Sequence, residues 1–249
     1  MSRRPSLSLS VMKRSLIAGL VAASSLLPYS GASVAGISLS GTRVVYTAQS
    51  KEASILVRNQ SKQDVMIQSW LESDGQKNDL PFAITPSLSR LGAEKQQTLR
   101  IFYAGQGLPT DRESVFWLSV QEIPQKAKDD NTLQVAVRQR IKMFYRPANL
   151  EGKPEEAAKQ LQWRWSAANG KPGMEVVNNT PYYVSLTKAT LHSGAQTYPI
   201  NTEMIPPKST RQLGIKNYSS HSLTPGAKID FEAINDFGAI DENQATVSN

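Results

Sequence analysis

The feature that most constrains the fold of this chain is a long alternating segment, LQVAVRQRIKMFYRP, which runs from Leu133 to Pro147. Successive side chains of a β-strand point to opposite faces, so this alternation predicts a long strand with one apolar and one cationic face. Average strands have only about five or six residues, and one this long can have apolar residues to spare. Its apolar face can line a sandwich core, or part of it can be offered to another protein. The apolar positions are Leu133, Val135, Val137, Ile141 and Met143, and the polar positions are Gln134, Arg138, Arg140 and Lys142.

The first 35 residues have the pattern of a secretory signal peptide. Four basic residues and no acidic residue accompany an apolar run, and small residues follow as far as Ala35. This pattern predicts cleavage after Ala35 and a mature chain that begins at Gly36 and is soluble outside the cytoplasm. Nothing later in the sequence is long and apolar enough to span a bilayer as a helix, so a membrane-embedded protein is not expected.

Composition narrows the functional classes. Four of the 28 basic residues and none of the 21 acidic residues lie in the leader, which leaves a net charge of +3 for the rest. This weak charge, without aromatic residues interleaved among basic ones, gives no reason to expect a nucleic-acid partner. The chain has no cysteine, so in an oxidising compartment burial alone must stabilise it. A mature length of about 214 residues suits one large or two modest domains.

Short alternating runs separated by turn residues predict an all-β sandwich over residues 36–150. Pro147 ends the long strand, and a polar stretch leads to a short helical turn between Pro154 and Leu161. Alternation then resumes, which predicts a second, smaller β-domain over residues 151–249 with a frayed polar tail from Glu242 onward. The predicted strands are 42–46, 53–57, 65–71, 97–102, 115–120, the long strand, 173–177, 182–186, 210–215 and 228–234.

The sequence gives little support for an enzyme. His192 and His221 lie in turn-like polar contexts without metal-ligand spacing. A Ser-His-Asp arrangement stays open, because such groups meet in space, but no G-x-S-x-G motif supports it. The acidic pairs at 129–130 and 155–156 are interpreted as turn and solubility residues. We therefore expect no catalytic residues, no metal and no cofactor.

Several motifs, in order, resemble the periplasmic pilus chaperones of the bacterial chaperone-usher pathway. The resemblance covers nearly the whole mature chain, and its specificity comes from the order and spacing of the motifs. Ser87 and Gln125 replace prolines that are common in the family, and Phe237 stands where tyrosine is usual. The motifs are GTRVVY (41–46), LPF (80–82), TP (85–86), RL (90–91), RES (112–114), FW (116–117), EIP (122–124), RIKMFYRP (140–147), NTPYY (179–183) and NDFGA (235–239).

The resemblance implies two immunoglobulin-like sandwiches in an L or boomerang arrangement, with a subunit-binding cleft between them. A pilin that lacks its last strand would be completed by the donor strand, residues 131–146, through the donor residues Leu133, Val135 and Val137. Arg43 and Lys142 would hold the C-terminal carboxylate of the pilin. Glu113, Arg146 and Asp236 would form a charge network that fixes the angle between the domains.

The resemblance also implies partners and a location. The partners would be pilin or fimbrial subunits and an outer-membrane usher, and the location would be the periplasm of a Gram-negative bacterium. Self-association of the free protein is physically reasonable, because an exposed apolar edge favours aggregation. The short connection 125–132 and the absence of cysteine place the chain in the short-loop branch of the family, which is associated with rod-like pili.

The alternative function is a secreted two-domain immunoglobulin-like adhesive or carbohydrate-binding module. Such a module would use an aromatic platform in a pocket. The four tryptophans lie in or beside the predicted strands, so we expect them in the core instead; they are Trp70, Trp117, Trp163 and Trp165. A secreted hydrolase is a third class without a supporting motif.

Overall fold

The alternating runs form two successive β-sandwiches in the computed structural model, which describes residues 36–73, 80–123, 135–167, 172–218 and 222–248. The leader, Leu133, Gln125 and His221 lie outside these residues, as does the acidic pair 129–130. Two separate hydrophobic cores, one in each sandwich, stabilise the fold.

The first sandwich packs a four-stranded sheet against a five-stranded sheet. Strand order is β1-β3-β7-β5 in the smaller sheet and β2-β9-β8-β4-β6 in the larger one. Every pairing is antiparallel except β2 with β9, which run parallel. The strands are β1 (Ile37–Leu39), β2 (Arg43–Thr47), β3 (Ala53–Asn59), β4 (Val65–Glu72), β5 (Phe82–Thr85), β6 (Leu88–Leu91), β7 (Gln96–Tyr103), β8 (Ser114–Ile123) and β9 (Arg138–Arg146).

Alternation along the strands builds the first core. Val57 and Leu99 come from the smaller sheet, Leu118 and Met143 come from the larger one, and all four are fully buried. Inward residues of two facing sheets form the core of a sandwich in this way. The opposite parity of β8 and β9 therefore faces away from this core, and it carries the basic residues of β9.

Strand β9 begins at Arg138, and the described residues 135–137 before it belong to no strand. The earlier part of the predicted donor strand, residues 131–134, lies outside the described residues. The neighbouring strand β8 ends at Ile123, and β2 pairs only with the half of β9 that begins at Lys142. The last contact with β8 is the hydrogen bond from the Glu122 amide to the Val137 carbonyl, 3.0 Å. Apart from this bond, residues 135–137 have no ladder partner within the part of the chain that the structure describes.

The second sandwich consists of strands that share one long member, β17. This strand pairs antiparallel with β16 and then parallel with β10, so it joins the two halves of the domain. The predicted frayed tail from Glu242 is therefore wrong, and the predicted helical turn consists of two 3₁₀ turns, Pro154–Glu156 and Ala158–Gln160. The strands are β10 (Gln162–Ser166), β11 (Gly173–Asn178), β12 (Val184–Ser193), β13 (Gln196–Pro199), β14 (Met204–Ile205), β15 (Ser209–Gly214), β16 (Lys228–Ile234) and β17 (Ile240–Ser248).

The tryptophans do not all lie in the cores. Trp163 is 1% exposed in the second core, and Trp165 packs against it while partly exposed. Trp70 and Trp117 instead lie half-buried on the outer face of the larger sheet of the first sandwich, and the prediction for these two is wrong. Trp117 is directly opposite Lys142, so it shares the polar parity of β9.

Candidate functional site

A cleft of about 420 Å³ lies where residues of the first sandwich meet residues of the second. The first sandwich contributes basic and aromatic side chains from β2 and β9. The second contributes backbone and side chains from the start of β12, the end of β16 and the turn between β16 and β17. Residues that define it include Arg43, Phe144, Arg146, Tyr183, Ile234 and Asp236.

Arg43 opens β2 and is held from both sandwiches. Its Nη1 donates a hydrogen bond to the Ile234 carbonyl at 3.0 Å, and its guanidinium lies 5.6 Å from the centre of the Phe144 ring. Burial lowers the pKa of Arg43, although the charges of Asp236 and Glu113 oppose this shift. Its Nε is buried and has no hydrogen-bond partner among the described residues. An orphan cationic donor of this kind is suited to an anionic ligand, because an unmade buried hydrogen bond is costly.

Lys142 is the direct neighbour of Arg43 in the parallel ladder of β2 and β9. Paired residues on adjacent strands project from the same face of a sheet, so the two cations share one face. On the other side of β9, Trp117 of β8 is paired with Lys142, and the ammonium lies 5.8 Å from its ring centre. Register alone therefore brings two cations together on neighbouring strands.

A charge network connects the two sandwiches beside these cations. The Arg146 Nε donates to Glu113 Oε1 at 2.7 Å, and its two Nη atoms donate to the carboxylate of Asp236 at 2.7 and 2.9 Å. The second oxygen of Glu113 accepts a hydrogen bond from the Tyr183 amide at 2.8 Å. The Glu113 side chain is only 2% exposed and that of Arg146 is 15% exposed. The guanidinium of Arg146 thus forms hydrogen bonds with one carboxylate from each sandwich.

Burial and pairing act differently on these charges. Burial raises the pKa of Glu113, although Arg146 and the Tyr183 amide act in the other direction. For Arg146, burial disfavours the charged form, but hydrogen bonds and charges from Asp236 and Glu113 outweigh it and raise its pKa. The network is therefore a set of ion pairs that is largely shielded from water. Removal of one partner would leave a buried charge without its counter-charge and would destabilise the fold.

Three further contacts connect the sandwiches. The Glu113 amide donates to the Pro181 carbonyl at 2.9 Å, and Lys208 forms an ion pair with Asp111 at 2.9 Å. Gly238, in the turn between β16 and β17, adopts a φ of 84°, and a Cβ there would lie 2.4 Å from Thr42 Oγ1. These contacts were not predicted from the sequence, because they join residues of different domains that lie 68 to 196 positions apart.

The donor residues lie at the other end of the long segment. Val135 is 69% exposed and Val137 is 43% exposed, and neither belongs to a strand of the described structure. Leu133, the third donor residue, is outside the described residues. Two adjacent apolar side chains of one parity thus remain in solvent, just before the point at which β9 begins.

Other candidate chemistry is sparse among the described residues. The parts of the chain that the structure describes contain no group of three or more His, Cys, Asp or Glu residues that could hold a metal ion. His192 Nε2 lies 2.8 Å from Asp230 Oδ2, and both side chains are exposed on the second sandwich. Glu155 and Glu156 lie in a 3₁₀ turn. A search of the same residues for a membrane-crossing helix finds none of sufficient length and apolarity.

Comparison with known proteins places this arrangement in a family. The model of the pili and flagellar-assembly chaperone, PapD N-terminal domain, matches residues 36–151. The model of the pili assembly chaperone PapD, C-terminal domain, matches residues 156–245. The chain belongs to the PapD family of pili assembly chaperones. The resemblance inferred from the sequence is confirmed, and the family consists of chaperones rather than enzymes.

Individual PapD-family chaperones match most of the chain. The probable fimbrial chaperone YadV of Escherichia coli K12 is 39% identical over 228 residues, which cover 87% of this chain and 92% of that protein. The chaperone protein FimC of the same strain is 36% identical over 215 residues, with coverage of 84% and 83%. The crystal structure of the YadV chaperone has a TM-score of 0.74, at 39% identity, over 85% of this chain and 100% of that chain.

A solved complex extends the comparison to a chaperone with its subunit. The structure of the Salmonella enterica SafA pilin in complex with the SafB chaperone has a TM-score of 0.71 and 28% identity, over 85% of this chain and 96% of that chain. The all-β fold with two immunoglobulin-like sandwiches is therefore confirmed for this PapD-family member.

Proposed function

We propose that this protein is a periplasmic chaperone that binds pilin subunits by donor-strand complementation and delivers them to an outer-membrane usher. The observation that carries the proposal is the register of Arg43 and Lys142, two cations on one sheet face, in the same strand system as exposed donor residues. Relatives named fimbrial chaperones and a chaperone–pilin complex support it. A structure described as that of the periplasmic chaperone SfaE, at 32% identity and a TM-score of 0.66, supports the location.

Arg43 and Lys142 form the anchor pair in this proposal. The carboxylate at the end of the subunit accepts hydrogen bonds from both cations, including the orphan Nε of Arg43. Charge-assisted bonds of this kind are short and about twice as strong as neutral ones. Fixing the end of the subunit strand also fixes its register against the donor strand, and a slip of one residue would turn every side chain to the wrong face.

The donor residues Leu133, Val135 and Val137 complete the subunit core. The backbone before Arg138 pairs with the open edge of the subunit and extends the ladder that β8 leaves unfinished. Burial of each aliphatic side chain contributes about 1.5–3 kcal/mol before the cost of ordering the segment. Subunit binding thus removes an exposed apolar edge from both proteins.

Glu113, Arg146 and Asp236 hold the two domains in the orientation that the cleft requires. We place the domain boundary at residues 150 and 151, with domains over 36–150 and 151–249, after removal of the leader 1–35. Because the Ile234 carbonyl of the second domain accepts a hydrogen bond from Arg43, the geometry of the anchor pair depends on this orientation. The network therefore affects binding through position and does not itself contact the subunit.

Two further interactions belong to this proposal. An outer-membrane usher receives the loaded chaperone, and an incoming subunit then replaces the donor strand. In the absence of a subunit, the exposed valines favour pairing between two copies of the chaperone. The short-loop assignment also stays a prediction, since the whole connection 125–132 lies outside the described residues.

The adhesive or carbohydrate-binding alternative is not favoured. Such a site requires an open aromatic face, but the two half-buried tryptophans on the outer face of the first sandwich are covered by cations. Arg138 lies 4.8 Å from the Trp70 ring centre, and Arg140 lies 3.9 Å from that of Trp117.

Co-purification tests the proposal. The tagged mature protein is expressed in a periplasm together with candidate fimbrial subunits, beside the variants Lys142→Ala and Lys188→Ala. Lys188 is an exposed lysine of the second sandwich and serves as the matched control. We expect a one-to-one complex with wild type and Lys188→Ala, and a tenfold to hundredfold weaker complex with Lys142→Ala, roughly the value of a charged hydrogen bond. Full capture by folded Lys142→Ala would contradict the anchor role.

A further inference from the structure

The outer face of the larger sheet carries a ladder of aromatic rings and cations, which the family resemblance did not assign a role. Trp70 of β4 lies beneath Arg138, and Trp117 of β8 lies beneath Arg140. The Lys142 ammonium lies over the same Trp117 ring, at 5.8 Å. Cations within about 6 Å of a ring centre are attracted by its negative face. One indole of this ladder is therefore shared by two cations.

The register of three strands makes Trp117 part of the row that contains the anchor pair. Trp117 pairs with Lys142 across β8 and β9, and Lys142 pairs with Arg43 across β9 and β2. The three side chains thus follow one another across the sheet on the same face. Trp70 lies one strand further away and pairs with Ser119, so it has no such connection with Lys142.

Arg140 contacts Trp117 from the neighbouring ladder position on the same face of the sheet. It pairs with Ser119, yet its guanidinium leans over the Trp117 ring, toward the Lys142 side. Two like charges on one face of a strand, two residues apart, repel each other, and the ring face that attracts both offsets this repulsion. Glu72 of β4 is the ladder partner of Trp117 on the side away from Lys142, and it forms ion pairs with Arg138 and Arg140.

We infer that Trp117 is a positioning residue for the carboxylate anchor, because its ring holds the Lys142 ammonium and the Arg140 guanidinium together beside Arg43. This inference rests on the proposed function. A lysine side chain has high rotamer freedom, so a surface that restricts it lowers the entropy cost of ligand binding. Keeping the Arg140 charge near Lys142 also increases the attraction for an anion in the row.

The test measures how strongly binding depends on the terminal carboxylate. A synthetic peptide that covers the last strand of a fimbrial subunit captured by the wild type is prepared with a free C-terminal carboxylate and as the amide. The mature full-length protein binds each peptide, and the ratio of the two dissociation constants reports the carboxylate contribution. The variants are Trp117→Leu, which removes the ring face, Trp117→Phe, which keeps one, and Trp70→Leu, the matched control.

We expect Trp117→Leu to reduce the carboxylate preference about fivefold to tenfold, in line with a cation–π contact that is partly desolvated. Trp117→Phe should retain most of the preference, and Trp70→Leu should retain all of it. Affinity for the amide peptide should not change in any variant. Arg140→Gln, which leaves the ring in place, should reduce the preference about twofold through the lost charge.

The outcomes separate the inference from the proposed function. A wild-type protein that binds both peptides equally would contradict the anchor pair itself. A wild-type protein that prefers the carboxylate, together with an unchanged preference in Trp117→Leu, would overturn only the role of Trp117.

Nuclear magnetic resonance provides a readout that needs no subunit. Upfield ring-current shifts of the Lys142 methylene protons should occur in the wild type and in Trp117→Phe, and they should be lost in Trp117→Leu. Absence of these shifts in the wild type would also overturn the inference.

Discussion

At the scale of single residues, two acids close together in sequence experience opposite environments. Hydrogen bonds from Arg112 and Lys208 lower the pKa of the exposed Asp111 well below its usual range. Burial raises the pKa of Glu113, although Arg146 opposes it. Both groups belong to contacts between the sandwiches, so their titration reports on that junction.

The stabilising contributions of Asp111 and Glu113 should depend on pH in opposite directions. The stabilising contribution of Asp111 is present above the pKa of the unfolded chain and is lost as pH falls through the lower folded-state value. The contribution of Glu113 is fully present below its unfolded-state pKa and is lost as pH rises through its higher folded-state value. Carbon-detected magnetic resonance of the side-chain carboxyls should give these two opposite displacements, with Asp111→Asn and Glu113→Gln used for assignment. Displacements of the same sign would contradict this description.

The roles of single residues could be predicted from the sequence only where those residues lie in motifs of the family. Arg43, Lys142, Glu113, Arg146 and Asp236 were predicted through the family resemblance. The structure places four of them around one cleft, and it places Lys142 beside Arg43 in the ladder of β2 and β9. The support of Arg43 by the Ile234 carbonyl has no sequence signal, because any residue has a carbonyl.

At the scale of elements, alternation predicted the strands that contribute apolar residues to a core. The predicted runs at 53–57, 65–71 and 228–234 correspond to β3, β4 and β16. Strand β17 was missed because its residues are largely polar and exposed, and its stability comes from ladder pairing with β16 and β10. Alternation also cannot say which parity faces inward, so Trp117 was assigned to the core although it lies on the outer face.

The two ends of the β8 and β9 system should respond differently to truncation. Leu118 is fully buried, and Leu118→Ala should lower the free energy of unfolding by about 2–5 kcal/mol. Val135 is mostly exposed, and Val135→Ala should change it by less than about 0.5 kcal/mol. Urea denaturation measures both values. The double variant Val135→Ala, Val137→Ala should nevertheless capture subunits poorly. Strong destabilisation by this pair would mean that the valines belong to the core of the free protein.

At the scale of the whole molecule, the turn between β16 and β17 sets how closely the two sandwiches approach. Gly238→Ala combines an unfavourable positive φ with a clash against Thr42, whereas Gly226→Ala has a φ of 76° and no atom within 4 Å of the new Cβ. The φ strain costs about 1–2 kcal/mol in either variant. We expect thermal unfolding to show a larger loss for Gly238→Ala, and subunit capture to fall only in that variant.

A companion substitution identifies the cause of that loss. Thr42→Ala removes the Oγ1 atom that the new Cβ would meet, so it should restore part of the stability and capture of Gly238→Ala. Equal effects of Gly238→Ala and Gly226→Ala would show that the contact with Thr42 does not matter. Such contacts between domains depend on the final orientation of two folded units, which alternation within each unit does not encode.

Donor-strand complementation requires the residues before Arg138 to become a paired strand when a subunit binds. Amide hydrogen exchange of Val135, Ala136 and Val137, measured in the free chaperone and in the purified complex with a subunit, tests it most directly. These residues lack strand pairing in the free structure, so their amides should exchange rapidly, and those that face the subunit edge should become strongly protected in the complex. Rapid exchange throughout this segment in a stable complex would contradict donor-strand complementation by this chain.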